Sequence, residues 1–485
     1  MSTTTHIIAG NLVHAPRGAG YVEYVVDGYI EYDMETGRIV KVGRDSKDLE
    51  KRKNVTRLNA NAFLVPGFVR LTDQKIMSHS LISIIPHKKY TQVDLHVHAP
   101  QFAFHGTGTD LQLMKWLETY TFPSEARMKD TERAMCVYDA LVKRLLRNGT
   151  TTAMYFATQH LEATKKLADI CGNYGQRAFV GKVTQDINSP PDYVETTSNA
   201  LKNTEKFIQY CLGSAGRNGL IRPVITPRFV PTCSQDLLSG LGRLAKKYEG
   251  KVWIQSHAAE SRDEEEWVAK MNIDGVALRD TAIFEKHGLL GNRTVMAHCT
   301  HLKDDELKVF STHSTSIAHC PLSNFFFSHR TLNLRRCEKF NVRTGLGTDI
   351  AGGYASSILS NIRHAVVASR SLSHHHDEED EEEDVIDFKH AFWLATTGGA
   401  KALNMSSEFG FFKVGLSFDA LLIQFPNSVE DSKYFAYDKQ FLSVQSNDGD
   451  EIGLYNLKDA FQRFINLGDD RNISKVWVRG KLINI

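Results

Sequence analysis

The chain has 485 residues, of which 42% are hydrophobic and 24% are charged, a composition that excludes wholesale disorder. At ~100–200 residues per domain, this length exceeds one small module and suits a large barrel with an accessory domain. The 58 lysines and arginines nearly balance the 57 aspartates and glutamates, so the formal net charge of +1 gives no global field for nucleic acid or an anionic membrane. We therefore expect a small-molecule substrate, with neither nucleic acid nor a membrane as partner.

The first ten residues contain no cationic stretch followed by an apolar core, so we expect no secretory signal. No run of ~18 apolar residues is present to span a membrane. The seven cysteines are scattered and form no Cys-x-x-Cys pair, which argues against a disulfide framework and against a thiolate zinc site. These features predict a cytoplasmic protein.

Short apolar runs alternate with turn residues at both ends of the chain. They cover residues 7–13, 21–26, 29–32 and 38–43 near the N-terminus, and residues 420–423 and 474–483 near the C-terminus. Runs of this kind predict strands. We therefore predict one small β-sandwich assembled from residues 1–65 and 413–485, with another domain inserted between them.

The inserted residues 66–412 repeat a strand-like run followed by a segment of helix length. The eight predicted strands cover residues 93–98, 151–157, 178–184, 223–229, 252–257, 294–298, 315–319 and 342–349. Such units are typical of a (β/α)8 barrel, whose catalytic groups lie at the C-terminal ends of the strands. The predicted fold is therefore α/β, a (β/α)8 TIM-like barrel with the small β-sandwich attached.

Several predicted strands end in a side chain that can bind a metal ion. His96 and His98 lie two residues apart, so on a strand they point to the same face. His257, His298 and Asp349 each end another predicted strand. Three neutral histidines and one carboxylate suit a divalent cation such as zinc, with one position left open for water.

Glu260 follows His257 by three residues. Zinc lowers the pKa of a bound water molecule to about 7, and a nearby carboxylate can pass the water's proton to a substrate nitrogen. The alternative for each of these residues alone is a polar side chain that caps a strand. The spread of the candidates over several strand ends argues against that alternative.

Longer motifs carry a family resemblance that covers nearly the whole chain. They are PGFV (66–69), DLHVHAPQ (94–101), WLETYTFP (116–123), TPRF (226–229), MAHC (296–299), IAHCP (317–321) and GTDIAGG (347–353). The first two resemble the metal-binding first strand of the amidohydrolase superfamily of metal-dependent hydrolases. Together, the motifs resemble the guanine deaminases of that superfamily.

The resemblance implies one zinc ion per chain, with His96, His98, His257 and Asp349 as its ligands. In related deaminases the histidine that matches His298 orients the attacking water or the substrate, and some descriptions count it as a ligand. We therefore expect His298 to be catalytic and only a borderline ligand. Asp349 is expected to be catalytic as well as a ligand.

The resemblance also assigns the substrate site. Glu260 matches the proton shuttle, and Gln101, Arg228 and Phe229 match positions that contact the purine, with His257 and Glu260 also at the substrate. We expect Arg228 to donate to the guanine carbonyl while Phe229 stacks on the ring. The alternative is a structural salt bridge and a core phenylalanine.

The implied reaction is the zinc-dependent hydrolytic deamination of guanine to xanthine and ammonia, in purine salvage or catabolism. A metal-bound hydroxide attacks C2, and Glu260 relays the proton. Two alternatives stay open: a deaminase or chlorohydrolase of the same superfamily that acts on another heterocycle, and a non-catalytic barrel scaffold. A direct role of His319 is equally open. The family further implies a homodimer.

Two segments depart from the expected pattern. Residues 70–93 separate PGFV from the His-x-His motif, which follows it directly in the family. They are either a genuine insertion, extruded as a loop at small entropic cost, or translated non-coding sequence left by a wrong gene model. The second segment, residues 374–384, combines three histidines with an acidic run and is predicted to be a solvated loop.

Overall fold

A computed structural model describes residues 5–15, 18–49, 52–59, 62–66, 93–213, 219–273, 275–373, 385–410, 412–425 and 452–484. The anomalous segment 70–93, except Val93, and the acidic segment 374–384 lie outside the described residues. Within the described residues, no helix is both long and apolar enough to cross a membrane.

The strands form two sheets. Their bounds are β1 Thr5–His14, β2 Glu23–Asp33, β3 Ile39–Gly43, β4 Val55–Arg57, β5 Ala62–Pro66, β6 Val93–His98, β7 Thr152–Phe156, β8 Arg177–Thr184, β9 Ile221–Pro227, β10 Trp253–Ala258, β11 Thr294–His298, β12 Ser316–His319, β13 Arg343–Leu346, β14 Ala420–Gln424, β15 Ile473–Val478 and β16 Lys481–Leu482.

Most of the helices surround the second sheet, and the last one contacts β2 of the first sheet. Their bounds are α1 Leu113–Trp116, α2 Phe122–Ala126, α3 Thr131–Arg147, α4 Leu161–Tyr174, α5 Thr197–Leu212, α6 Gln235–Lys247, α7 Arg262–Lys270, α8 Asp280–Lys286, α9 Asp304–His313, α10 Pro321–Ser323, α11 Leu334–Lys339, α12 Ile358–Ser373, α13 Phe388–Trp393, α14 Gly399–Ala402 and α15 Ile452–Leu467. Tighter or wider helical turns cover Ser46–Leu49, Ala99–Phe104, Leu117–Thr121, Arg127–Lys129, Val230–Thr232, Asn324–Ser328, Leu394–Gly398 and Asp470–Asn472.

The first sheet joins the two ends of the chain. Its order is β16-β15-β14-β5-β1-β2-β3, and β4 pairs with β1. At its centre β14 runs antiparallel to β5, with Ala420 opposite Pro66 and Gln424 opposite Ala62. The predicted assembly of one β unit from both termini is confirmed, as a single mixed sheet. The two runs predicted at residues 21–26 and 29–32 belong to one continuous strand, β2.

The second sheet is a parallel barrel in the order β6 to β13. Backbone hydrogen bonds beyond β13 close it, from Asp349 N to His96 O at 2.8 Å and from His98 N to Ile350 O at 3.1 Å. The bounds of all eight predicted barrel strands lie within three residues of the observed ones, because short apolar runs buried on both faces are typical of parallel sheets. The predicted (β/α)8 fold is confirmed.

Helix α3 illustrates how the sequence builds the outer layer. The Asp130 carboxylate caps the helix by accepting from the backbone N–H groups of Glu132 and Arg133. Apolar side chains then recur at helical spacing and are buried, namely Ala134, Tyr138, Leu141, Val142, Leu145 and Leu146. The stripe therefore packs on the barrel while polar residues face outward.

A buried apolar cluster connects the barrel to the first sheet. It includes Phe179, Val224 and Trp253 from barrel strands, and Leu64, Leu422 and Trp477 from the first sheet. An ion pair crosses the same junction, because Arg177 Nη1 donates to Asp419 Oδ2 at 2.6 Å. Both side chains are at most 2% exposed, so water cannot replace either partner of the ion pair.

The first prediction concerns this ion pair. Arg177→Met removes the guanidinium that is hydrogen-bonded to the buried Asp419 carboxylate, and we expect the free energy of unfolding to fall by about 3–5 kcal/mol. Denaturant unfolding provides the measurement. The control is Lys270→Met, which breaks an exposed pair with Glu266 and should change stability little. Equal effects in the two variants would contradict the prediction.

Candidate active site

Five predicted site residues converge at the C-terminal ends of the barrel strands. His96 and His98 lie on β6, His257 on β10 and His298 at the end of β11, while Asp349 follows β13. The Nε2 atom of His98 lies 3.2 Å from that of His96 and 3.0 Å from that of His257. Asp349 Oδ1 lies 3.2 Å from His96 Nε2 and 3.5 Å from His98 Nε2. The sequence prediction of a common meeting point agrees with this geometry.

These atoms fit a divalent cation. His257 Nδ1 lies 2.6 Å from the Arg228 carbonyl oxygen, and His298 Nδ1 lies 2.9 Å from Asn324 Oδ1. When Nδ1 donates to these oxygens, the Nε2 lone pairs face the centre of the cluster. A tetrahedral zinc site with bonds of ~2.1 Å holds its ligand atoms ~3.4 Å apart, close to the spacings seen here. The cluster can therefore hold a metal ion.

His298 lies at the edge of this cluster. Its Nε2 atom lies 3.8 Å from Asp349 Oδ2 and 3.7 Å from Glu260 Oε1. It forms one potential ligand triplet with His96 and His257, whereas His96, His98 and Asp349 form another. His298 thus faces both the cluster and the candidate proton shuttle.

Burial and neighbouring charges set the protonation states. Burial, reinforced by the neighbouring histidines, holds the pKa of His98 and of His257 well below the ordinary value. Burial also disfavours the charge of Asp349, but His96 and the other imidazoles hold the pKa of this carboxyl well below its usual range. Neutral imidazoles beside an ionised carboxylate are the protonation states that metal binding requires.

Unusual backbone conformations position two of these side chains. His298 and Asp349 are in the left-handed region, with φ of 67° and 51°. Such conformations cost ~1–3 kcal/mol each and persist where the surrounding structure imposes them. Gly347 permits the close approach of β13 to β6, because a Cβ there would lie 2.8 Å from His96 Cβ. The strand ends are thus held in place at a cost in backbone strain.

Two residues without a predicted role hold the cluster from outside. Asp94 Oδ1 accepts from the backbone N–H of Thr348 at 2.9 Å and of His96 at 3.2 Å, so it ties β6 to the segment after β13. Burial raises the pKa of Asp94 to about 7. The Phe156 ring lies 4.7–4.9 Å from the rings of His96, His98 and His257, and so forms an apolar wall.

Glu260 lies next to the cluster. The residue is 8% exposed, and burial raises the pKa of its carboxyl. Its backbone N–H donates to Glu264 Oε2 at 2.6 Å, which fixes the loop after β10. A carboxyl with a raised pKa at this place is suited to accept and return a proton.

A pocket opens onto the cluster. Its lining combines polar residues of the strand ends with an apolar side, and includes His98, Gln101, Leu113, Met114, Trp116, Leu117, Arg228, Phe229, His257, Glu260, Glu264, His298, Ser323, Phe327, Asp349 and Gly352. Small-molecule sites commonly combine an apolar lining with a few polar groups in this way. All predicted substrate-contact residues lie in the lining. His319 is fully buried and is not part of it.

Arg228 is held by a carboxylate that the sequence did not reveal. Its Nη1 and Nη2 atoms donate to Glu125 at 2.6 and 3.2 Å, and both residues are at most 3% exposed. Glu125 also accepts from Gln101 Nε2 at 2.9 Å and from the Tyr193 hydroxyl at 2.7 Å. The Gln101 Oε1 atom accepts from the Ala351 N–H at 3.1 Å. Arg228 thus forms a structural salt bridge while it also lines the pocket.

The second prediction follows from this network. Glu125→Gln leaves the buried Arg228 guanidinium without its anionic partner, and we expect the free energy of unfolding to fall by about 3 kcal/mol or more. Urea unfolding monitored by tryptophan fluorescence measures the change. Glu118→Gln is the matched control, since Glu118 is exposed and lies 3.7 Å from exposed Lys115. A fall no larger than in this control would show that Glu125 is dispensable for the fold.

Comparisons with known proteins identify the family of this chain. The sequence model of the Amidohydrolase family matches residues 91–483. A guanine deaminase from Dictyostelium discoideum is 39% identical, with 98% of each chain covered, and the guanine deaminase of Homo sapiens is 43% identical over 81% of each chain. Among solved structures, a guanine deaminase from C. acetobutylicum with bound guanine in the active site is 30% identical, with a TM-score of 0.82. That alignment covers 99% of this chain and 100% of the other.

The family match covers most of the chain, and the relatives exceed 30% identity over most of their own length. The eight-stranded barrel and the first sheet, built from both termini, lie within the alignment with the solved relative, which covers nearly the whole chain. This chain therefore belongs to the amidohydrolase family and, within it, to the guanine deaminases.

Proposed function

We propose that this protein hydrolyses guanine to xanthine and ammonia with one bound zinc ion. The observation that carries the proposal is the convergence of His96, His98, His257 and Asp349 beside Glu260, at a pocket lined by most of these residues. Hydrolytic deamination needs an activated water molecule, a proton shuttle and a binding site for the base. The names of the relatives support guanine as the base.

Four residues would hold the zinc ion: His96, His98, His257 and Asp349. When bound, zinc lowers the pKa of a water molecule and so supplies a nucleophile near neutral pH. Asp349 and His298 orient the attacking water from the side of the strand ends. Their buried position keeps competing solvent away from the reacting atoms.

Glu260 moves the proton. It takes a proton from the attacking water and delivers it to a ring nitrogen of guanine as the water oxygen bonds to C2. Glu260 passes the second proton of the water to the exocyclic nitrogen, the bond from C2 to that nitrogen breaks, and the nitrogen leaves as ammonia while the ring nitrogen keeps the first proton. Guanine and water together thus give xanthine and ammonia. The raised pKa of Glu260 favours both the uptake and the release of the proton.

Arg228, Gln101 and Phe229 bind the base. The guanidinium of Arg228 has five N–H donors, and the salt bridge with Glu125 uses two of them, so others can reach the guanine carbonyl. Gln101 has its amide orientation fixed by Glu125 and Ala351. Phe229 supplies an apolar face for stacking. Because these groups are held before the substrate arrives, little order is lost on binding.

The domain boundaries at 66 and 413, the homodimer and the cytoplasmic location stay predictions from the sequence. None of them is needed for the chemistry proposed here, which uses side chains of one barrel.

The third prediction tests the proton shuttle. Glu260→Gln keeps the shape of the side chain but cannot accept the proton, so we expect kcat for xanthine formation to fall by ~10²–10⁴-fold while zinc content is retained. Glu266→Gln is the control, because Glu266 lies on the nearby helix α7 with an exposed side chain. Turnover near that of the unmodified protein would refute the role of Glu260.

The fourth prediction concerns metal removal. Dialysis against a chelator should abolish ammonia release and lower the melting temperature, because the buried lone pairs and the carboxylate then lack a cation. Zinc added at 1,000 times its dissociation constant should restore ~4 kcal/mol of stability. His98→Ala should lose this zinc-dependent stabilisation, whereas His313→Ala, at the surface beside Glu285, should keep it. Full activity in metal-free protein would contradict the proposal.

A further inference from the structure

Glu264 has the sequence position of a helix-capping residue. Ser261 and Glu264 form the Ser-x-x-Glu pattern at the start of α7, and the Glu264 N–H donates to Ser261 Oγ at 3.2 Å. In a capping box the glutamate would accept from the Ser261 N–H. Here Glu264 Oε2 accepts from the N–H of Glu260 instead, at 2.6 Å. The carboxyl therefore reaches beyond the helix to the loop that carries the proton shuttle.

The second carboxyl oxygen of Glu264, Oε1, has no hydrogen-bond partner among the described residues. This oxygen is buried, and the residue is only 3% exposed. Glu264 lines the same pocket as Glu260, Arg228 and Phe229. A buried polar atom without a partner costs free energy in the folded protein, so an unpartnered oxygen on a residue that lines a pocket is a group that a ligand can satisfy.

The surroundings of Glu264 favour the neutral carboxylic acid. Asp280 and Glu260 are the acidic neighbours that act on it, and no lysine, arginine or histidine of the described residues lies within salt-bridge distance. Burial and these two carboxyls raise the pKa of Glu264 well above its ordinary value. Since Oε2 accepts from the Glu260 N–H, a proton on this carboxyl lies on Oε1, where it can be donated to a ligand.

We propose that Glu264 is a further substrate-binding residue, which donates a hydrogen bond from Oε1 to an acceptor atom of the purine. The acceptor is one of the two ring nitrogens N3 and N7 or the carbonyl oxygen at C6. This assignment rests on the proposed function, because it takes a purine as the ligand. It adds a donor on the Glu260 side of the base, whereas Arg228 and Gln101 lie on the Glu125 side.

The fifth prediction uses binding of hypoxanthine to the zinc-loaded protein, measured by titration calorimetry. Hypoxanthine lacks the 2-amino group, so it is not a substrate and its binding is independent of turnover. Glu264→Met should weaken binding roughly 10-fold or more, because it removes the donor. Glu264→Gln should bind within about 3-fold of the unmodified protein, since its amide oxygen can accept from Glu260 N–H while its NH2 group donates into the pocket.

Two further variants control for folding. Glu306→Met removes a glutamate that accepts from the Lys303 N–H at the start of α9, outside the pocket, and should leave hypoxanthine binding unchanged. Glu264→Asp keeps a carboxyl group on a side chain that is one methylene shorter, so it should show the same loss of hypoxanthine affinity as Glu264→Met. It replaces Glu264→Met in the experiment if that variant does not fold. Zinc content and melting temperature are measured for each variant.

Analogues identify the acceptor atom. The analogues 3-deazahypoxanthine, 7-deazahypoxanthine and unsubstituted purine lack N3, N7 and the carbonyl oxygen, respectively. The analogue that lacks the acceptor atom should bind to Glu264→Met or Glu264→Asp as well as it binds to the unmodified protein. Equal losses for every analogue, a Glu264→Gln variant as weak as Glu264→Met, or no loss at all would overturn the assignment. Absence of ammonia release from guanine by the unmodified protein would instead overturn the proposed function.

Discussion

One electrostatic constraint governs the structure: imidazole nitrogens and a carboxylate, all of which carry lone pairs, face each other inside the protein. His98 Nε2 lies within 3.2 Å of two other imidazole nitrogens, and the Asp349 carboxylate lies beside them, all buried. Without a cation these lone pairs repel each other, and burial removes the water that would otherwise screen them. A fold that tolerates such a cluster is one in which the energy of metal binding contributes to the stability of the native state.

A second set of interactions makes this cluster rigid. Asn324 and the Arg228 carbonyl orient two of the imidazole rings, and Asp94 ties the first barrel strand to the segment after the last one. On the substrate side, Glu125 serves a similar purpose for Arg228. The groups that would touch the metal or the base are therefore positioned by residues that touch neither. This arrangement explains why the strained φ values of His298 and Asp349 can persist.

Much of the fold could be predicted because its signals are local. The barrel strands are short apolar runs, and the ligand candidates sit where those runs end, so His96, His98, His257, His298 and Asp349 could be placed together before any coordinates. The partners of these residues could not be predicted. Glu125 lies 103 positions from Arg228, and Asn324 lies 26 positions from His298, and such pairings leave no periodic pattern. The Ser-x-x-Glu pattern at Glu264 even suggests the wrong backbone partner, because a loop in the left-handed conformation at Ala259 brings another amide within reach.

The central pairing of β5 with β14 has a consequence for synthesis on the ribosome. About 350 residues separate the two strands, which at ~5–20 residues per second corresponds to an interval on the order of 20–70 s. During that time the edge of β5 that later receives β14 is exposed on the nascent chain, and it can pair with any other strand nearby. Cells that make this protein therefore have to protect an early strand until almost the end of translation. Premature termination before residue 420 would release a chain in which that protection never ends.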